Sequence, residues 1–172
     1  MVANCAKTWI GYLEHQSHDL LGVYRANVGK GGFTIFSEII STHYRWRNFQ
    51  AIPWCATFVH AVFLTALGKT GAAKVLGKPH PGTKVLMRRM RRKGRLRGVG
   101  YTPKANDIIF LHNGDGIVGH VGIVVGVVGD EVISVEGNTV DPTGHFPADA
   151  GGAVAMRTRQ LTNPAIIGYA DL

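Results

Sequence analysis

A chain of 172 residues, 45% hydrophobic and 17% charged, has the proportions of an ordinary globular domain, which excludes a disordered or fibrous protein. A formal charge of +8 attracts polyanions such as nucleic acid, acidic lipid or anionic wall polymers, without choosing among them. Two cysteines, Cys5 and Cys55, are too few for a disulfide framework, and the longest apolar stretch, residues 52–67, is shorter than the ~20 residues that a bilayer span needs.

Residues 1–12 carry one lysine and no apolar h-region, so no signal peptide is visible. Residues 6–21 read as a helix, with Trp9, Tyr12, Leu13, Leu20 and Leu21 near helical spacing and Gly22 marking the end. The glycine-rich stretch 27–32 reads as a loop and 33–44 as a second short helix. The clearest helix is 54–67, with Pro53 at the first turn, where a missing N–H costs nothing, and Gly68 just past the end. Cys55 then falls in the first turn. Residues 68–81 read as a connector, and 84–97, KVLMRRMRRKGRLR, as a basic segment helical at least to Gly94 with Val85, Leu86 and Met90 as its buried edge.

After Pro103 the period changes, and 107–111, 118–128, 131–136 and 153–159 read as strands rich in β-branched residues. Helices first and strands second imply one α+β domain over residues 1–172, N-terminal helices packed on a C-terminal antiparallel sheet. Register matters in the hairpin of 118–128 and 131–136. A two-residue turn at Gly129 and Asp130 with a regular ladder separates His120 from Glu136. A three-residue loop, pairing Val127 with Glu131, puts His120 opposite Asn138 with Glu136 on the same face, and is therefore expected. One face is then apolar through Val121, Ile123, Val125, Ile133 and Val135, and the other, opened by Gly122 and Gly126, is expected to receive a helix.

Cysteine hydrolysis needs a thiolate, and the first turn of a helix offers unpaired N–H groups and the positive end of the dipole. Cys55 meets that requirement, although a lone cysteine is more often a buried structural residue. A nucleophilic thiol also needs a base and a group that orients it. In GHVGIVVGVVGDEVISVEGN, His120 opens one strand and Glu136 and Asn138 end the next, so three polar groups converge at one end of an apolar hairpin.

In this order PWCATFV, NDIIFL, GHVGIVVG and VEGN, with the closing IIGYADL, resemble the blocks of the CHAP family of papain-like (NlpC/P60-like) amidases and peptidases. The resemblance implies a papain-like fold and hydrolysis of peptidoglycan stem or cross-bridge peptides, as N-acetylmuramoyl-L-alanine amidase or endopeptidase. It assigns Cys55 as nucleophile, His120 as general base and acid, Glu136 as orienter of the imidazole and Asn138 as a second polar support. Gln50 is a candidate helper at the oxyanion. Some relatives bind calcium through aspartates before the cysteine; THYRWRNFQ has no carboxylate there, so neither calcium nor any other metal or cofactor is expected.

Between 88 and 97 stand Arg88, Arg89, Arg91, Arg92, Lys93, Arg95 and Arg97, either a solvated helix face or a seat for anionic wall polymer, with nucleic acid second because no aromatic platform interrupts the run. His15 and His18 lack the spacing of a metal site and read as exposed, as do His43, His60, His80, His112 and His145. Cys5 reads as incidental. Two further functions compete with hydrolysis: acyl transfer to an acceptor other than water on the same scaffold, and a basic nucleic-acid-binding protein whose cysteine and histidine are structural. A monomer acting at the bacterial wall or outside the cell, or released by a phage at lysis, is the expected setting.

Overall fold

A helix that is apolar around its whole circumference must be covered on every side, and residues 55–64, CATFVHAVFL, are of that kind. In the computed structural model, which describes residues 1–19, 21, 28–45, 47–114, 116–146 and 151–172, this stretch opens helix α3 (Cys55–Leu76) and is buried throughout. Its cover comes from α1 (Val2–Lys7), α2 (Ile35–His43), α4 (Thr83–Arg92) and one face of a sheet. α2 starts at Thr34, whose hydroxyl accepts from the Ser37 N–H at 3.4 Å. α3 breaks at Gly68, where φ 68° and ψ 173° suit glycine alone, then resumes. The expected helix end is thus a break, and the first part of the expected connector is helical.

The sheet is antiparallel with six strands, β1 (Leu96–Arg97), β2 (Ile108–His112), β3 (Val118–Val128), β4 (Glu131–Thr139), β5 (Ala153–Gln160) and β6 (Ile166–Ala170). Their spatial order is β1-β6-β2-β3-β4-β5. All helices precede all strands, which makes the fold α+β. Val121, Ile123 and Val135 share the main core cluster with Phe58 and Val62 of α3, while Ile109, Leu111, Val124, Val132 and Tyr169 form a second cluster. This reverses the expectation that the helix would seat on the face opened by Gly122 and Gly126. Gly122 instead makes room for Glu136: a Cβ there would lie 2.6 Å from Glu136 Cγ.

The hairpin turn is shorter than expected, yet the register at His120 is kept. Val128 pairs with Glu131 across a two-residue turn, and of the two turn residues only Gly129 has positive φ, 57°, as a type II′ turn requires. A regular ladder from there would part His120 from Glu136. Between Val124 and Gly126, however, the register shifts, leaving Val125 as the extra residue of a bulge, and beyond it Val124 pairs with Ser134 and Ile123 with Val135. Continued along the strands, that alternation brings His120 and Glu136 onto one face.

Residues 6–21 do not form one helix. α1 ends at Lys7, Gly11 takes φ 90°, and the chain runs along β5, with Gly11 N–H donating to Val154 O at 2.9 Å and Glu14 N–H to Gly152 O at 2.7 Å. Covering the open edge of β5 outweighs loose helical spacing. Leu20 and Gly22 lie outside the described residues. His15 and His60 are buried rather than exposed, whereas exposed His18 pairs with Glu38 at 3.0 Å. The basic segment is helical to Arg92, with Leu86 and Met90 buried and Val85 half-buried; Leu96 and Arg97 cross to pair with β6 instead. Among the described residues no helix is long and apolar enough to cross a membrane.

Gly137 sets the contact between helix and sheet, because a Cβ there would lie 2.6 Å from both Phe58 Cβ and Trp54 Cζ3. Gly137→Ala should therefore destabilise the protein by about 1–3 kcal/mol, seen as a lower urea midpoint. Gly126→Ala, whose Cβ meets nothing within 4 Å, should barely move it.

Candidate active site

Cys55 is the first residue of α3; Pro53 stands ahead of the helix rather than in its first turn. The residue between them, Trp54, caps α3 with backbone alone, so no side chain occupies the N–H groups of the first turn. Trp54 is itself held from three sides. Its ring stacks on Phe36 at 5.5 Å, meets Tyr12 edge-on at 6.3 Å, and its Nε1 donates to buried Glu14 Oε2 at 2.6 Å. Burial raises the Glu14 pKa, and the Trp54 bond works against that rise.

His120, from β3, lines the same cleft as Cys55 and, through Nε2 at 3.0 Å, bonds Glu136 Oε2. With Nε2 engaged, Nδ1 is the nitrogen left for the thiol. Glu136 has no exposed surface and is satisfied by three further bonds. Ser134 Oγ donates to Oε1 at 2.6 Å, and the Arg159 guanidinium forks onto Oε1 at 2.5 Å and Oε2 at 3.1 Å. Burial alone would lower the His120 pKa, but the bonds and charges of Cys55 and Glu136 outweigh it and lift it to about 9. Burial likewise works to raise the Glu136 pKa; His120 and Arg159 overcome it and hold the carboxyl at about 2.

Cys55, His120, Glu136 and Arg159 line a cleft of about 520 Å³, shared with Asn113, Asn138 and Arg157. Asn138 takes a left-handed φ of 55° where the pairing of β4 with β5 slips; it walls the cleft, and the imidazole bonds Glu136 instead. Gln50 lies elsewhere: its amide accepts from Thr34 N–H at 2.7 Å and donates to Thr34 O and Glu38 Oε1, both at 3.0 Å. Both functions of that side chain brace α2, and it is absent from the cleft wall. The arginines of α4 are also outside the cleft, Arg88, Arg91 and Arg92 exposed and Arg89 half-buried. Half-buried Cys5 is a free thiol against Val62 O at 3.8 Å. Among the described residues no group of three or more His, Cys, Asp or Glu side chains could hold a metal ion.

Sequence reasoning missed Ser134, Arg159 and Glu14. The signal for Arg159 is the alternation in MRTRQ, which sends Arg157 and Arg159 to one face of a strand that also meets water. Glu14 gives no such signal, because its partner is 40 residues away.

Residues 46–138 match the family model of the CHAP domain, a span that includes Cys55, His120, Glu136 and Asn138. No curated protein matches the chain. Because the match covers more than half of the sequence, the chain belongs to the CHAP domain family, whose members are in general hydrolytic amidases and peptidases.

Proposed function

We propose that this protein is a peptidoglycan hydrolase that cuts amide bonds of the bacterial wall, as N-acetylmuramoyl-L-alanine amidase or endopeptidase, in a single catalytic domain. The observation that carries the reading is the cleft in which Cys55 meets a histidine bridged to a fully buried carboxylate. The Cys55 thiolate attacks the carbonyl carbon, and the oxyanion rests on the uncapped N–H groups of the first turn of α3. His120 gives its proton to the departing nitrogen as the C–N bond breaks, leaving a thioester. Water then attacks, His120 takes its proton, and the acid leaves with the thiolate restored. Glu136 acts by fixing the ring so that Nδ1 faces the sulfur, and Ser134 and Arg159 hold Glu136. The enzyme acts at the wall, reached by secretion or by phage release. Acyl transfer on the same scaffold would use the same thioester; mass spectrometry of fragments from purified walls separates it, since only hydrolysis leaves a free carboxyl.

Cys55→Ala should abolish release of amines from purified walls and leave the thermal melt nearly unchanged, because the change opens little cavity. Cys5→Ala should be silent in both. His120→Ala should cost about as much activity as Cys55→Ala, since residues acting as one unit give non-additive losses, and Glu136→Gln should cost less. Undiminished hydrolysis by Cys55→Ala would remove the thiol as nucleophile.

The pH dependence has a definite sign. The His120 pKa is raised, so the stability it contributes is complete below pH 6.5 and is lost as pH rises through about 9. Glu136 is depressed, so its contribution is present above pH 4.5 and is lost as pH falls through about 2. The alkaline limb of kcat/KM should accordingly fall near pH 9. In Glu136→Gln, which lacks the anion, that limb should move toward 6.5, and an unmoved limb would show that Glu136 does not set the charge on His120.

A further inference from the structure

Among the described residues, none of Lys84, Arg88, Arg89, Arg91 and Arg92 on α4 forms an ion pair with a carboxylate, unlike Arg97, Lys104 and Arg159. Arg89 turns inward, half-buried, and donates to Lys78 O. The other four are exposed, so the folded surface carries an uncompensated cationic ridge. Two grooves of about 300 Å³ flank it, and Arg88 and Arg91 line both.

The second groove is walled on its far side by Gly116, Ile117 and Val118. Val118 begins β3, and its carbonyl accepts from Thr83 Oγ1 of α4 at 3.3 Å. Asn113, which follows β2, and Gly119, the second residue of β3, line the catalytic cleft. Neighbouring residues of this stretch therefore line both the cationic groove, through Gly116, Ile117 and Val118, and the cleft of Cys55 and His120, through Asn113 and Gly119.

We infer that Arg88 and Arg91, with Lys84 and Arg92 beside them, bind a phosphodiester-linked polymer attached to the wall and so hold the wall's peptides against the cleft. The inference rests on the hydrolase reading for what the cleft does, but the ridge is a separate surface. Guanidinium forks match phosphate oxygens two at a time, and regularly spaced phosphates on a flexible chain suit a row of charges. The apolar parts of the grooves are Val85, Met87, Ile117, Val118 and Ile167, with no aromatic ring on which a base could stack, which sets nucleic acid second.

The test is co-sedimentation of the full chain with purified walls, in the cold before cleavage releases material, using walls intact or chemically stripped of phosphodiester polymer. Stripping should weaken adhesion at least tenfold, and Arg88→Gln with Arg91→Gln should weaken adhesion to intact walls by about tenfold and flatten its salt dependence. Lysine at both positions, which keeps the charge but not the fork, should retain only part of the adhesion. A control that neutralises exposed Lys7 and Lys69 removes the same charge elsewhere and should have little effect. Turnover of a small uncharged peptide amide should be the same in all variants, which verifies their folding. Equal adhesion to stripped walls, equal loss in the control, or tighter arginine-dependent binding to DNA than to walls would each overturn the inference. Failure of peptide turnover with adhesion intact would count against the hydrolase reading alone.

Discussion

A carboxylate with no exposed surface stays ionised only if fixed donors replace the water it has lost, and Glu136 is in that position. Arg159 supplies a forked cation, Ser134 a hydroxyl and His120 a ring N–H, so the carboxylate is saturated and charged. That charge is what keeps an imidazolium tolerable beside a thiol in a half-closed cleft. With a thiolate at Cys55, the side chains in sequence through space run negative, positive, negative, positive, ending on Arg159. Removing Glu136 leaves both His120 and Arg159 without their anion, a loss that a surface ion pair would not incur.

Three strands have to be in register for this to exist. His120 comes from β3, Glu136 and Ser134 from β4 and Arg159 from β5. Phase between β3 and β4 is set by the Val125 bulge, and Gly122 leaves the space that the Glu136 stem occupies. β5 would be an open edge, and the N-terminal chain covers it between Gly11 and Glu14. The same residues that close that edge deliver Glu14 to Trp54, the residue before the nucleophile. Edge protection and positioning of Cys55 are thus one piece of structure.

Strands β2 to β5, the start of α3 and the convergence of Cys55, His120 and Glu136 were legible in the sequence because each depends on local signals: alternation, a proline ahead of the helix, and polar residues at strand ends; β1, inside the basic segment, was not. The hairpin shows where that ends. The right face for His120 was inferred, but through a longer turn, since Gly129 and Asp130 make a two-residue type II′ turn and the extra residue sits upstream at Val125. No residue type announces a bulge in GIVVGVV. Residues 6–21 failed for a different reason, as an unfilled sheet edge contributed by β5 overrode their spacing. Gln50 failed because its amide has closer partners in Thr34 and Glu38, which only the fold brings to it.

The span shared with the CHAP family, residues 46–138, holds the thiol, the imidazole and the carboxylate, but neither Glu14 nor Arg159. Of the groups that support this site from behind, Ser134 lies within the span, while Glu14 and Arg159 come from its flanks. Within the shared span the buried Glu136 carboxylate meets only the titratable His120; among the described residues, the one guanidinium on it is Arg159. The chemistry and its strongest cationic support are in this way encoded separately, and they become interdependent when β5 pairs with β4 and brings Arg159 across the strand from Val132, four positions along from Glu136's own partner, Ala155.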